Sequence, residues 1–182
     1  MTSILQSNRI FIRNLQSEDL ESFYNYRKEQ SVAQYQGYSV FDRADCSMFI
    51  EQQKDNEFGR GDGWQQYAIV VRGSNGLIGD CAIRFDHTIN KTVEIGCTIA
   101  PQFQKQGYAK ETMLLLMHAL FEDHQVRRIV ETTDAENLAA ITLLKSIGFR
   151  KEGHFIDNIW FKGRWGSEYQ YAMLKHEWMN RC

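Results

Sequence analysis

The period of apolar and polar positions changes several times along the chain, and each change marks a predicted element. Ile10-Phe11-Ile12-Arg13 reads as a first strand. Ser17 then reads as a helix N-cap, ahead of Leu20, Phe23 and Tyr24 at helical spacing to about Lys28. A second helix is expected over residues 42–55, with Phe49 and Ile50 facing inward. Strand patterns follow at residues 64–71, 77–85 and 92–99. The turns between them are Gly73-Ser74-Asn75-Gly76, where Asn-Gly signals a hairpin, and a polar stretch at 86–90. These three strands should form an antiparallel meander. Ala109, Met113, Leu116, Met117, Leu120 and Phe121 then mark one face of an amphipathic helix. Residues 128–133 form a strand pattern, and 137–146 a short helix closed by Gly148 in a left-handed cap. A long hairpin over 149–174 turns near Lys162-Gly163-Arg164. The predicted order is β-α-α-β-β-β-α-β-α-β-β, an α+β fold with a mixed, mostly antiparallel central sheet flanked by helices.

Length and charge narrow this picture. With 182 residues and no Pro-, Gly- or Ser-rich linker, one domain is expected over 1–182, its core at about 8–175. Lys and Arg total 21 against 23 Asp and Glu, a formal charge of −2. No basic excess points to a nucleic-acid partner. The densest apolar run, residues 113–117, is far short of the roughly 20 needed to cross a bilayer, so no membrane partner is expected. No basic segment followed by an apolar one opens the chain, which predicts no secretory signal. Cys46, Cys81, Cys97 and Cys182 are widely spaced without a C-x-x-C pair. That spacing predicts reduced thiols in a cytoplasmic protein, with neither a zinc site nor a disulfide framework. His87, His118, His124, His154 and His176 show no ligand-like grouping, so no metal is expected. Arg60-Gly61-Asp62 reads as an ordinary loop. The aromatics Tyr35, Tyr38, Trp64, Trp160, Trp165 and Tyr169 are candidates either for an acceptor cleft or for ordinary packing.

Chemistry concentrates between residues 94 and 109. A strand ends, the only proline of the chain, Pro101, follows, and a loop containing Gly107 leads at once into a helix. A helix N-terminus presents unpartnered N–H groups and a positive dipole end. Gly107 permits close backbone approach, Ala109 is small, and Lys105 and Lys110 add positive charge. Together they suit a phosphate or pyrophosphate; the other reading is a tight connection and nothing more. Neither a P-loop nor a dinucleotide loop pattern is present.

Residues 104–109 read Q-x-x-G-x-A, and Asn137-Leu138-Ala139-Ala140 leads on to Gly148-Phe149. With the order of elements, these segments resemble the GNAT superfamily of N-acetyltransferases. The strip Arg9-Ile10-Phe11-Ile12-Arg13, the strand Glu94-Ile95-Gly96, Gly107-Tyr108-Ala109-Lys110-Glu111 and the closing Tyr171-Ala172-Met173-Leu174 resemble its ribosomal-protein alanine/serine N-acetyltransferase branch. The resemblance implies acetyl-CoA as donor, a primary amine as acceptor, and a homodimer as one arrangement. The acceptor is a protein N-terminus or a small amine such as an antibiotic, polyamine or metabolite. A non-catalytic acyl-CoA-binding module is the remaining alternative.

The resemblance also assigns residues. Backbone N–H groups of Gln104, Lys105, Gln106, Gly107, Tyr108 and Ala109 would hold the pyrophosphate. Cys97, Thr98 and Ile99 would pair with the pantetheine arm, Ile99 above all, and Pro101 would help end that strand. Asn137 would bond pantetheine or simply cap its helix. Direct attack requires a neutral amine, hence a base. Glu94 shares one strand face with Gly96 and Thr98, while Val93, Ile95, Cys97 and Ile99 take the other. A carboxylate beside a glycine makes Glu94 the catalytic candidate, the alternative being a structural ion pair. Asp80 and Asp134 are weaker candidates. Many superfamily members carry Tyr seven residues after the Asn, where this chain has Leu144, and some of the branch carry Ser at Ala140. The acid is therefore open: Thr142, Ser146, or no side chain.

Overall fold

The computed structural model describes residues 4–36, 42–61, 63–74, 76–86 and 91–181. Tyr38, Asp62, Asn75, His87 and Cys182 lie outside the described residues. One sheet of eight strands runs β1 (Leu5–Gln6), β2 (Ile10–Asn14), β3 (Trp64–Val71), β4 (Leu77–Asp86), β5 (Thr92–Ile99), β6 (Arg128–Asp134), β8 (Arg164–Leu174), β7 (Arg150–Phe161) in space. The helices are α1 (Leu20–Arg27), α2 (Gln30–Ala33), α3 (Arg43–Gln53), α4 (Tyr108–His118), α5 (Leu138–Ile147) and α6 (Lys175–Met179). The predicted order is present, with β1, α2 and α6 added to it.

Both sheet faces are covered, and β3 shows why. Its run Tyr67-Ala68-Ile69-Val70 is apolar at every position and fully buried, as a strand covered on both sides must be. Tyr67 and Ile69 join the cluster under α4 and α5 with Ile95, Met113, Leu116 and Leu144. Ala68 and Val70 join the opposite cluster with Phe23, Tyr26, Cys46 and Ile50 from α1 and α3.

The N-terminal helix starts differently from the sequence expectation. Ser17 does not cap α1; it opens a short 3-10 turn at Ser17–Asp19 with Gln16 in the cap position. The Asp19 carboxylate decides this: it accepts the Gln16 N–H at 2.8 Å and both guanidinium arms of buried Arg13 at 2.6 and 2.7 Å. Ser17 Oγ instead donates to Glu51. The stripe read as one helix to Phe121 is α-helical only to His118; Ala119–Asp123 forms a π turn that keeps Leu120 and Phe121 buried. The β7–β8 hairpin turns at Lys162-Gly163, both at positive φ (49° and 82°), as a two-residue type I′ connection requires.

The sheet opens between two of its neighbouring strands. β5 and β6 are its parallel pair, joined through α4. They pair only over Thr92–Glu94 and Arg128–Val130, although β5 continues to Ile99 and β6 to Asp134. Beyond Glu94, β5 pairs with β4 alone; beyond Val130, β6 pairs with β8 alone. The sheet opens there into a wedge.

Candidate active site

The wedge holds a cavity of about 600 Å³, within the range of small-molecule sites. Its walls are the end of β5 (Cys97, Thr98, Ile99), the loop and first turn of α4 (Gln104, Lys105, Gly107, Tyr108, Ala109), Glu131 of β6, and α5 (Asn137, Leu144). Nine of the ten residues assigned to cofactor binding thus border one space. Gln106 does not: its carbonyl accepts from Arg9 at 3.0 Å and its amide donates to the Gln102 carbonyl.

The β5 backbone offers hydrogen bonds to this space. The Ala100 N–H donates to the Ile78 carbonyl at 2.9 Å. In an antiparallel ladder successive residues alternate sides, so Thr98 and Gly96 turn their groups to β4, while Cys97 and Ile99 turn theirs to the wedge. The Ile99 carbonyl is taken by the Gln104 side-chain amide at 2.9 Å, which ties the loop to the strand end. Pro101, at the start of a 3-10 turn to Phe103, ends the strand as expected.

At the mouth of the wedge α4 begins. Gly107 is its N-cap, at φ +86°, a conformation that strains residues with a Cβ. An added Cβ would also meet Arg9 Nη2 at 3.3 Å. Arg9 clamps the loop from behind: it pairs with Glu111 in the first helical turn, binds the Gln106 carbonyl, and lies 4.7 Å from the Tyr108 ring centre. Ser7 Oγ adds a 2.6 Å hydrogen bond to Glu111. Partial burial opposes ionisation of Glu111, but the Ser7 and Arg9 hydrogen bonds outweigh it and hold the carboxyl below its ordinary range. Helix N–H groups at the positive dipole end, closed by a glycine, fit a pyrophosphate. The role of Arg9 was not legible from motif spacing, because its partners stand 97 and 102 residues away.

Glu94 stands at the apex of the wedge, on the sheet face opposite Cys97. Its carboxylate is ion-paired with Arg84, its cross-strand neighbour on β4, and remains 17% exposed. Arg84 in turn lies 5.1 Å from the Trp64 ring centre. The ion pair considered for Glu94 is present, on a side chain that still reaches solvent. Asn137 caps α5, accepting the Ala140 N–H at 3.1 Å, and borders the cavity as well. Asp80 is fully buried among Tyr26, Arg27 (2.6 Å) and Gln66, sealed from substrate. Asp134 braces a turn by accepting the Glu136 N–H. Thr142 and Leu144 border the cavity; Ser146 does not and donates to the Leu143 carbonyl. Tyr35 lines the cavity, whereas Trp160 and Trp165 pack edge-to-face on the exposed hairpin.

Glu131 escaped the sequence reading. It shares with Ile129 and Thr133 the face of β6 that looks into the core. A charged residue at a core-facing strand position was the available signal. Cys97 is no nucleophile: burial, then the nearby carboxylates, push its thiol up to about 12. This disfavours an acetyl-cysteine intermediate. Among the described residues no group of His, Cys, Asp and Glu is placed to hold a metal, and no helix is long and apolar enough to cross a membrane.

Comparison with known proteins agrees with this geometry. Residues 9–150 match the family model of the acetyltransferase (GNAT) domain. The N-acetyltransferase YnaD of Bacillus subtilis is 29% identical over 96% of this chain and 98% of its own. The crystal structure of a GNAT-family acetyltransferase from Bacillus anthracis superposes with a TM-score of 0.85 at 26% identity, over 95% of this chain and 99% of that one. Spermidine N-acetyltransferase from Vibrio cholerae, crystallised with CoA and spermine, shares the fold with a TM-score of 0.80 at 19% identity, over 96% and 100% of the two chains. A wedge between parallel strands, a glycine-capped helix at its mouth and a family match across most of the chain lead to one statement: the protein belongs to the GNAT acetyltransferase family.

Proposed function

We propose that the protein transfers the acetyl group of acetyl-CoA to a primary amine by direct attack, with Glu94 as the base. The observation that carries this is the wedge itself, with the glycine-capped helix at its mouth and a partly exposed carboxylate on the last β5 residue paired with β6, outside the cavity lining. The N–H groups of residues 104–109 bind the pyrophosphate at the positive end of α4. The backbone of Cys97 and the Ile99 N–H pair with the pantetheine amides, laying the arm along β5 toward Glu94. Glu94 takes a proton from the attacking amine, directly or through water. Arg84 holds its carboxylate in place.

The leading acceptor is a protein N-terminus, on the likeness of residues 9–13 and 94–96 to the ribosomal-protein branch. The likeness to an acetyltransferase crystallised with spermine favours a second acceptor class, small polyamines. A panel of N-terminal peptides and small amines, incubated with acetyl-CoA and read by thiol release and product mass, tests both. Acetylated product from one class, lost in Glu94→Gln, supports the reading. CoA release at the same rate with and without every amine contradicts it.

A further inference from the structure

The wedge contains an ionisable side chain that neither pyrophosphate binding nor base catalysis uses. Glu131 sits one residue past Val130, where the pairing of β6 with β5 stops, and lines the cavity. Its Oε2 is buried without a hydrogen-bond partner. An ionised carboxylate in that setting is strongly disfavoured, so the group keeps its proton. Burial first, then the charge on Glu94, raise its pKa to about 8.

On the flanking strands the neighbouring groups hold their own protons tightly. From β5, Cys97 faces it with a thiol pushed up to about 12, and Glu94 acts on it from the other sheet face. From β8, Tyr171 is its cross-strand neighbour and is itself raised, by burial first and then by Tyr169 and Glu131. Lys105, Lys110, Tyr108 and Tyr35 border the same cavity; Lys110 donates to the Ser146 carbonyl, Tyr35 to the Glu136 carbonyl, and Arg9 lies against the Tyr108 ring. The cavity-lining part of α5 carries no titratable group, and Leu144 has no proton to give.

We infer that Glu131 is the general acid of the reaction, giving its carboxyl proton to the CoA sulfur as the carbon–sulfur bond breaks. This rests on the acetyl-transfer reading above. The amine nitrogen bonds to the thioester carbonyl carbon, and its surplus proton goes to Glu94. The electron pair of the C–S bond passes to sulfur, which takes the Glu131 proton. The products are the amide and the free CoA thiol; solvent carries the proton from Glu94 back to Glu131. Two features make the step efficient. The CoA thiol lacks the peptide groups that acidify a cysteine and is no stronger an acid than the ordinary cysteine value of about 8.5, so the proton passes from Glu131 to the leaving sulfur without an uphill step. The two carboxyls are also coupled. Once Glu94 is protonated, its charge no longer opposes ionisation of Glu131, and the acid strengthens as the thiolate departs.

The test has two arms. In protein carrying ¹³C-carboxyl glutamate, the Glu131 signal, assigned by its loss in Glu131→Gln, should titrate near pH 8 and shift when CoA is added. A midpoint near pH 4.5, or no shift at saturating CoA, overturns the inference. In the amine assay, Glu131→Gln should lower kcat about 100-fold or more, leave the acetyl-CoA KM within about 3-fold, and remove the loss of rate above about pH 8. Glutamine matches the neutral acid in shape and charge, so the fold is preserved; it donates a hydrogen bond but cannot transfer a proton. A wild-type kcat and alkaline limb in that variant overturn the inference while leaving acetyl transfer standing. A wild-type protein that binds no CoA in calorimetry strikes the transfer reading itself.

Discussion

Glu94 and Glu131 are two carboxyls on adjacent strands whose contrasting surroundings suit the two roles proposed for them. Glu94 has Arg84 beside it and water within reach; Glu131 has an apolar cavity and an unpartnered oxygen. Glu94→Gln should lower kcat by about 10²- to 10⁴-fold with little change in the acetyl-CoA KM, measured by steady-state kinetics. An unchanged kcat would return Glu94 to a purely structural ion pair. Elsewhere a buried charge serves the fold. Asp80 gathers Tyr26, Arg27 and Gln66 onto one fully buried carboxylate. Asp80→Ala removes the buried carboxylate that Tyr26, Arg27 and Gln66 share and should cost about 3–5 kcal/mol in urea unfolding, far more than removal of a surface pair.

The loop and α4 form a unit whose geometry is set from outside it. Arg9 reaches from the β1–β2 turn to the Gln106 carbonyl and Glu111, so Arg9→Ala should loosen the first turn of the helix. Because Arg9 is half-exposed, the Kd for CoA should rise only about 2- to 5-fold in calorimetry, and less at 1 M salt. An increase of 100-fold would mean that Arg9 contacts CoA directly. Most elements were legible from periodicity. Strands 64–71 and 92–99 and the Gly148 cap appear where the patterns placed them, because alternation and glycine act locally. What was not legible depends on distant partners. Ser17 does not cap its helix because Asp19, held by Arg13, binds the Gln16 N–H and shapes the turn instead. Glu131 faces the cavity because β6 leaves β5 after Val130. The wedge was not legible from periodicity, since no local pattern records where two strands part.

Across the whole molecule two of the perturbed carboxyls, Glu131 and Glu152, give stability opposite slopes with pH. Glu131, raised to about 8, binds more protons folded than unfolded between about pH 4.5 and 8. Stability should therefore fall through that window, by at most about 1.4 kcal/mol per pH unit. Glu152 is held down to about 2, by the Arg128 hydrogen bond first, and contributes stability present above about pH 4.5 and lost as pH falls toward 2. Thermal unfolding of Glu131→Gln across pH 5–9 should show the first slope flattened; an unaltered slope would mean that Glu131 titrates alike in both states. The wedge mouth, the stretch from Gln104 to Ala109, is proposed to hold CoA by its backbone. Calorimetric titration of CoA into the wild type and Gly107→Trp tests this most directly. Saturable one-to-one binding is expected of the wild type and none of the variant, whose bulky side chain would occupy the anion site. Equal affinity in the two proteins would contradict it.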